Sequence, residues 1–273
     1  MSKIITIWGN PNSGKTTLAI KLAKELSKNN NVIMLSTDII APTIGVLLPY
    51  SKEKDKSVGK LLEMVTLTQE DILKNLITLK DNKNIAFLGY AQTENYKSYA
   101  QYTVDRANEL IINLSHLADY LIIDTSSIIQ FDLLSRSSLK LADEVIRLCG
   151  TNLKAISYYK SIFPLLIDKS FNINKHIKIL AKLKDGEPKA IITNHYGTIF
   201  SNLPYTEELQ IQYKEGCLLN ALSNKKSVYY NDNLEKLLFR ITGKTKDKKN
   251  VNKVNNVFKL LKVKKMKEQD EDE

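Results

Sequence analysis

Nine consecutive residues, Gly9-Asn10-Pro11-Asn12-Ser13-Gly14-Lys15-Thr16-Thr17, carry the spacing G-x-x-x-x-G-K-T. The chemistry such a run can do is to hold phosphate. Glycines let backbone N–H groups curl around phosphate oxygens, and a helix that starts where the loop ends adds partial positive charge. Lys15 would reach the β- and γ-phosphates, and the Thr16 hydroxyl would ligate Mg²⁺. The expected ligand is therefore a nucleoside triphosphate. Two carboxylates share one kind of setting further along. Asp124 closes the apolar run Tyr120-Leu121-Ile122-Ile123, a place from which a carboxylate holds a Mg²⁺-bound water. Asp38 closes Val32-Ile33-Met34-Leu35-Ser36-Thr37 and is a candidate for orienting the attacking water. A strand ending in Asp is common, and such a residue often only caps a turn; the loop at Gly9–Thr17 is what gives these two a chemical role.

The elements that must position these groups follow from apolar patterning. Ile4-Ile5-Thr6-Ile7-Trp8 reads as a strand before the loop, and Leu18, Ile20, Leu22, Ala23 and Leu26 fall at helical spacing after it. Further strands are expected at residues 32–37, 85–90, 120–124, 144–148 and 177–183, with a short one at 199–203. Amphipathic or helical stretches are expected at 61–79, 99–117, 139–143, 188–196 and 234–241, the last ending at Gly243. Strands alternating with helices predict a doubly wound α/β fold, a mostly parallel sheet with helices on both faces. In such sheets ligands sit at the carboxyl ends of the strands, so one crevice would hold Lys15, Asp38 and Asp124 together.

The chain has 273 residues and a formal net charge of +10, with two cysteines, Cys149 and Cys217. Its length suits one substantial core. The cysteine usage indicates a reducing cytosol rather than a disulfide framework. Met1-Ser2-Lys3 leads directly into the first strand without a signal peptide, and His116, His176 and His195 lack zinc-site spacing. The positive charge suggests an acidic partner.

Five motifs in order carry a resemblance over nearly the first 243 positions: Ile4–Thr17, the strand ending in Asp38, DYLIIDTSS from Asp119, ADEVIRL from Ala142, and NLPYTEELQIQYKEG from Asn202 to Gly216. They resemble the MinD/ParA group of deviant phosphate-loop ATPases, and within it the TadZ/CpaE-like ATPases of Flp-type pilus loci. The resemblance implies an ATPase domain over residues 1–243, using ATP and Mg²⁺, that forms a homodimer in the ATP state and is read by a protein partner of a pilus or secretion apparatus. Gly9 to Thr17 would bind the phosphates, with Lys15, Asp38 and Asp124 catalytic and Thr16 and, through water, Asp124 on the metal. Asp38 matches the group's switch I aspartate, and Pro204 and Tyr205 fall where the group packs the adenine base. The implied location is cytoplasmic, peripheral at the inner face of the cell membrane.

The sequence also departs from the group. ParA and MinD proper read K-G-G-x-G-K-T, and the first lysine enters the partner's active site; here Asn10 stands in that place, followed by Pro11 and Asn12. An amide cannot neutralise a transferring phosphate, so hydrolysis is expected to be weak, to need a partner's arginine, or to be absent. Ser126-Ser127 replaces paired prolines, and Lys182 stands where many relatives carry a base-reading Asn.

Residues 244–273 form a tail of different composition. Ten lysines and one acid lie between Lys244 and Lys267, and an acidic end follows from Glu268 to Glu273. Val254, Val257, Phe258 and Leu261 share a helical face, which fits an anionic membrane surface. A helix docked on the domain, a disordered lysine-rich tail and non-specific contacts to DNA phosphates are the other readings.

Overall fold

The computed structural model describes residues 2–49, 55–184, 186–187 and 189–243. The expected basic tail, residues 244–273, lies outside the described residues, and with it the expected boundary at 243.

The chain alternates strands and helices, as its patterning predicts. It runs through β1 (Lys3–Gly9), α1 (Lys15–Leu26), β2 (Val32–Ser36), α2 (Ile44–Leu47), α3 (Val58–Glu63), α4 (Gln69–Asn75), β3 (Ile77–Thr78), β4 (Ile85–Leu88), α5 (Val104–His116) and β5 (Tyr120–Asp124). The second half adds α6 (Leu133–Leu141), β6 (Glu144–Gly150), α7 (Leu153–Ile162), β7 (Ile177–Leu183), α8 (Lys189–Tyr196), β8 (Ser201–Pro204), α9 (Glu207–Lys214) and α10 (Val228–Thr242). The eight strands form one sheet in the order β3-β4-β2-β5-β1-β6-β7-β8. All pairings are parallel except β3 with β4.

The central strands are apolar at nearly every position because helices cover both faces. Alternate residues of one strand enter different cores. Ile5 and Ile7 of β1 join Val32, Met34, Ile122 and Ile146 under α1 and α10. Ile4 joins Ile33, Leu35, Leu121 and Ile123 under α3, α4 and α5. Trp8 turns to a smaller cluster with Val145, Leu139 and Ile162, beneath α6 and α7. α10 contributes Tyr230, Leu234, Leu237 and Ile241, a spacing that keeps one face on the sheet.

The structure corrects several boundaries. The stretch 61–79 is three elements, not one amphipathic segment. α3 stops at Met64, whose backbone is extended, and α4 restarts behind a capping box in which Thr68 and Asp71 satisfy each other's backbone N–H groups. The chain then leaves Leu76 as the antiparallel edge strand β3. The helix expected from residue 99 begins at Val104, because the Thr103 hydroxyl accepts from the Arg106 N–H. α10 starts six residues before Leu234, at Val228. Three helices, α2, α7 and α9, went unread, although Asn152 caps α7 and Thr206-Glu207-Glu208 opens α9.

Ile122 is fully buried at the centre of this sheet. An Ile122→Ala variant should lose roughly 2–5 kcal/mol of stability, seen as a lower denaturant midpoint with an unchanged slope.

Candidate functional site

The loop between β1 and α1 takes its shape from two glycines. Gly9 lies against β6 so closely that a Cβ there would sit 2.5 Å from the Leu148 carbonyl oxygen. Gly14 has φ of 93°, in the left-handed region that a side chain disfavours, and it opens α1. Asn12 takes a similar conformation, φ 61°, at the loop's tip. Leu18, the fourth residue of the helix, donates its N–H to the Gly14 carbonyl at 2.9 Å; the N–H groups of the first turn before it have no such partner and point along the helix axis.

Lys15 and Thr16, the first two residues of α1, meet the ends of the strands. Lys15 is 8 % exposed. It donates to the Ser127 hydroxyl at 2.6 Å and, at 3.4 Å each, to the carbonyls of Gly9 and Asn10. Burial pulls its pKa down, while the nearby charges of Asp124 and Asp38 oppose that shift. The Thr16 hydroxyl donates to Asp124 Oδ2 at 2.6 Å. Asp124 is 2 % exposed, and burial pushes its pKa up to about 6, against the pull of Lys15 and the Thr16 bond and with some help from Asp38. Its other oxygen, Oδ1, is buried without a hydrogen-bond partner, as is the Ser13 hydroxyl in the loop. Orphaned buried acceptors of this kind are what a cation or its water shell would satisfy.

Asp38 follows β2 on a half-buried turn, where its Oδ1 accepts from the N–H groups of Ile40 and Ala41 at 3.1 Å each. The crevice thus brings Lys15, Thr16, Asp38 and Asp124 together, as the strand-end argument requires. Asn10 does not extend outward: its Nδ2 donates to the neighbouring Pro11 carbonyl at 2.8 Å.

A cleft beside the loop joins Gly14 and Thr17 to Lys182, Pro204, Tyr205 and Thr206. It lies between α1, the end of β7 and the start of α9. Lys182 sits at a bulge where the β7–β8 register shifts, with φ of 56°, and burial lowers its pKa. The Thr206 hydroxyl is buried with no partner. Pro204 and Tyr205 therefore stand beside the phosphate loop in space, 190 residues away in sequence. Ser127 as the seat of Lys15 and Thr206 as an unsatisfied hydroxyl were not foreseen; a Thr opening the α9 helix was the visible signal for the second.

The fold is that of the MinD/ParA phosphate-loop ATPases. A protein of Borrelia burgdorferi B31 described as a plasmid partition protein, bound to AMPPNP, superposes with a TM-score of 0.66 at 20 % identity, over 88 % of this chain and 99 % of its own. MinD of Aquifex aeolicus, in complex with MinC, gives 0.67 at 18 % identity, over 92 % and 100 %. MinD of Pyrococcus horikoshii with Mg-ADP gives 0.66 at 16 % identity, over 90 % and 100 %. No protein-family profile matches the sequence, and no curated protein shows significant similarity to it.

The raised pKa of Asp124 has a consequence for stability. A buried acid whose folded pKa lies above its unfolded value of 3.8 costs stability once ionised, fully above about pH 6 and not at all below pH 3.8. Without nucleotide, Asp124→Asn should therefore gain on the natural protein as pH rises from 4 to 6, by up to about 3 kcal/mol for a shift of this size. Thermal unfolding of both proteins across that range checks it; a difference that stays flat with pH contradicts the assignment.

Proposed function

We propose that this chain is an ATP-binding ATPase of the MinD/ParA type that dimerises around ATP and positions an assembly within the cell. The observation that carries the reading is the meeting of Lys15 and Thr16 with a buried Asp124 that keeps one oxygen unpartnered. The residues fit the ligand. The loop amides and Lys15 would hold the phosphates. Thr16 would leave Asp124 for the metal, and Asp124 would then hold a metal-bound water. Asp38 would orient the attacking water, while Pro204 and Tyr205 would flank the base beside Lys182. Mg²⁺ would supply the positive charge that offsets the developing negative charge of phosphoryl transfer.

Dimerisation is supported by apolar side chains exposed near the same strand ends. Ile40, Phe131 and Leu153 are 62 %, 80 % and 83 % exposed, and they follow β2, β5 and β6. A second copy of the chain meeting these strand ends would cover them. MinD of Aquifex aeolicus is found with a protein partner, MinC, and we infer that this chain too is read by a partner. The machinery positioned is, in this reading, a Flp/Tad-type pilus or secretion apparatus, on the strength of Asn10 in place of the lysine. DNA partition is the second reading, favoured by the Borrelia plasmid partition protein among the similar structures. A scaffold that holds ATP without turning it over is the third, favoured by Asn10 folding back on its own loop.

The test is ATP turnover by the purified protein beside Lys15→Ala, with the mass in solution recorded with and without ATP·Mg²⁺. We expect slow turnover, a loss on the order of a hundredfold or more in the variant, and a doubling of mass that needs ATP. ATP-dependent doubling without turnover would select the scaffold. Absence of both ATP binding and any change of mass would reject the proposal.

A further inference from the structure

Ser127 stands just beyond Asp124, on the loop that leaves β5, and is half-buried. Its hydroxyl accepts from the Lys15 ammonium at 2.6 Å. A hydroxyl that accepts keeps its own proton to give, and among the described residues nothing takes that proton. Ser127 thus holds a free donor beside the very ammonium that would reach the phosphates.

The backbone that carries this donor is pinned on both sides. Ser126 donates its N–H to the hydroxyls of Thr37 and Ser135 at 2.9 and 3.1 Å. The Ser127 carbonyl accepts from the Tyr158 hydroxyl of α7 at 2.7 Å. A donor held in this way is aimed before any ligand arrives, so little ordering is left for binding to impose. Other donors near the loop are committed elsewhere. Asn10 gives its amide to the Pro11 carbonyl at 2.8 Å. Arg147 on β6 is 2 % exposed, its guanidinium 4.3 Å from the Tyr159 ring centroid and 5.6 Å from that of Trp8. Its Nε and Nη2 are buried without a hydrogen-bond partner, closed off from anything that enters the crevice.

The side from which Ser127 approaches decides which phosphate it meets. The amides between Asn10 and Lys15 would curl round the phosphate seated in the loop. Ser127 comes from the opposite wall, past the end of β5 and beside Asp124. The phosphate that faces that wall is the terminal one, which Lys15 would hold together with its neighbour.

We propose that the Ser127 hydroxyl donates to the terminal phosphate of a bound triphosphate and so distinguishes it from a diphosphate. The inference rests on the nucleotide reading above and adds to it the side chain that reads the third phosphate. A diphosphate would leave the hydroxyl on Lys15 alone; a triphosphate would give the hydroxyl and the ammonium one oxygen in common.

The test measures binding of ADP and of AMPPNP, each with Mg²⁺, to the full chain by calorimetry. AMPPNP carries three phosphates and resists hydrolysis, so affinity is read without turnover. In Ser127→Ala we expect AMPPNP binding to weaken on the order of tenfold relative to ADP, the loss of one hydrogen bond to a charged group. Removing the seat of Lys15 alone would shift both nucleotides alike and leave their ratio where it was. An unchanged ratio, with both nucleotides bound by the natural protein, overturns this inference and leaves the nucleotide reading standing. Failure of the natural protein to bind either nucleotide overturns both. Should Ser127→Ala fail to fold, Ser127→Cys replaces it, because a thiol is close in size but a weak donor. The same fall in the ratio is expected there, and an unchanged ratio overturns the inference.

Discussion

The Thr16–Asp124 hydrogen bond is the contact on which the site's arrangement depends. It spans 2.6 Å between the first turn of α1 and the last residue of β5. In a sheet covered on both faces, the strand ends are where polar groups can collect without breaking a core. A lysine and an aspartate are buried there together, and each keeps the other's charge tolerable: Lys15 draws the Asp124 pKa down while burial drives it up. Lys15 offsets only part of the cost of ionising Asp124, and burial outweighs that help. The bond also fixes where α1 begins relative to β5. From that follow the course of the loop between Gly9 and Lys15 and the side of the loop on which the Lys182–Tyr205 cleft opens.

The serines after Asp124 extend this anchoring to β2. Ser126 donates its N–H to the Thr37 hydroxyl at 2.9 Å and to that of Ser135 at 3.1 Å, and those two hydroxyls lie 2.6 Å apart. Ser135 in turn hydrogen-bonds the buried Asp132, which the Tyr102 hydroxyl also reaches at 3.2 Å. A proline at 126 would have no N–H to give. With serine there, the residue before Asp38 and the second residue after Asp124 are tied through one buried hydroxyl pair. The carboxylates are thereby held on strand ends that cannot shift separately without leaving buried polar groups unpaired. Ser127 completes the arrangement by taking the Lys15 ammonium.

The parts of this structure written in local sequence were legible, and the parts created by long-range packing were not. Strands β1, β2, β5 and β6 announce themselves as apolar runs because both of their faces are buried, and the spacing of Gly9, Gly14, Lys15 and Thr16 is set by the loop itself. Asp38 and Asp124 could be placed because each closes such a run. Nothing local told that Ser127 would seat Lys15, a contact between residues 112 apart; the Thr68–Asp71 capping box that splits one amphipathic stretch was local, and went unread. The resemblance placed Pro204 and Tyr205 beside the loop; propensity alone had no means to do so. Arg147 was hidden for a related reason. Within Val145-Ile146-Arg147-Leu148 it reads as one polar residue in a strand, and only the packing of α7 shows that it is covered.

Three cations buried around the loop show how differently one protein can treat a buried charge. Lys21 on α1 is 4 % exposed, and its three ammonium protons meet Gln212 Oε1 and the carbonyls of Leu218 and Asn220 at 2.6–2.7 Å. Its charge serves to clasp the segment after α9 to the phosphate-loop helix, and burial still lowers its pKa to about 8. Lys15 has both acceptors and a countercharge. Arg147 has neither, yet a guanidinium does not shed its proton as a buried lysine can. The positive potential it adds at the carboxyl ends of β1 and β6 is therefore permanent, and weak screening in the interior lets it act beyond its own contacts. Asn10 puts an uncharged amide in this loop, while a fixed positive charge stands one strand away at Arg147. The rings of Trp8 and Tyr159 hold it in place.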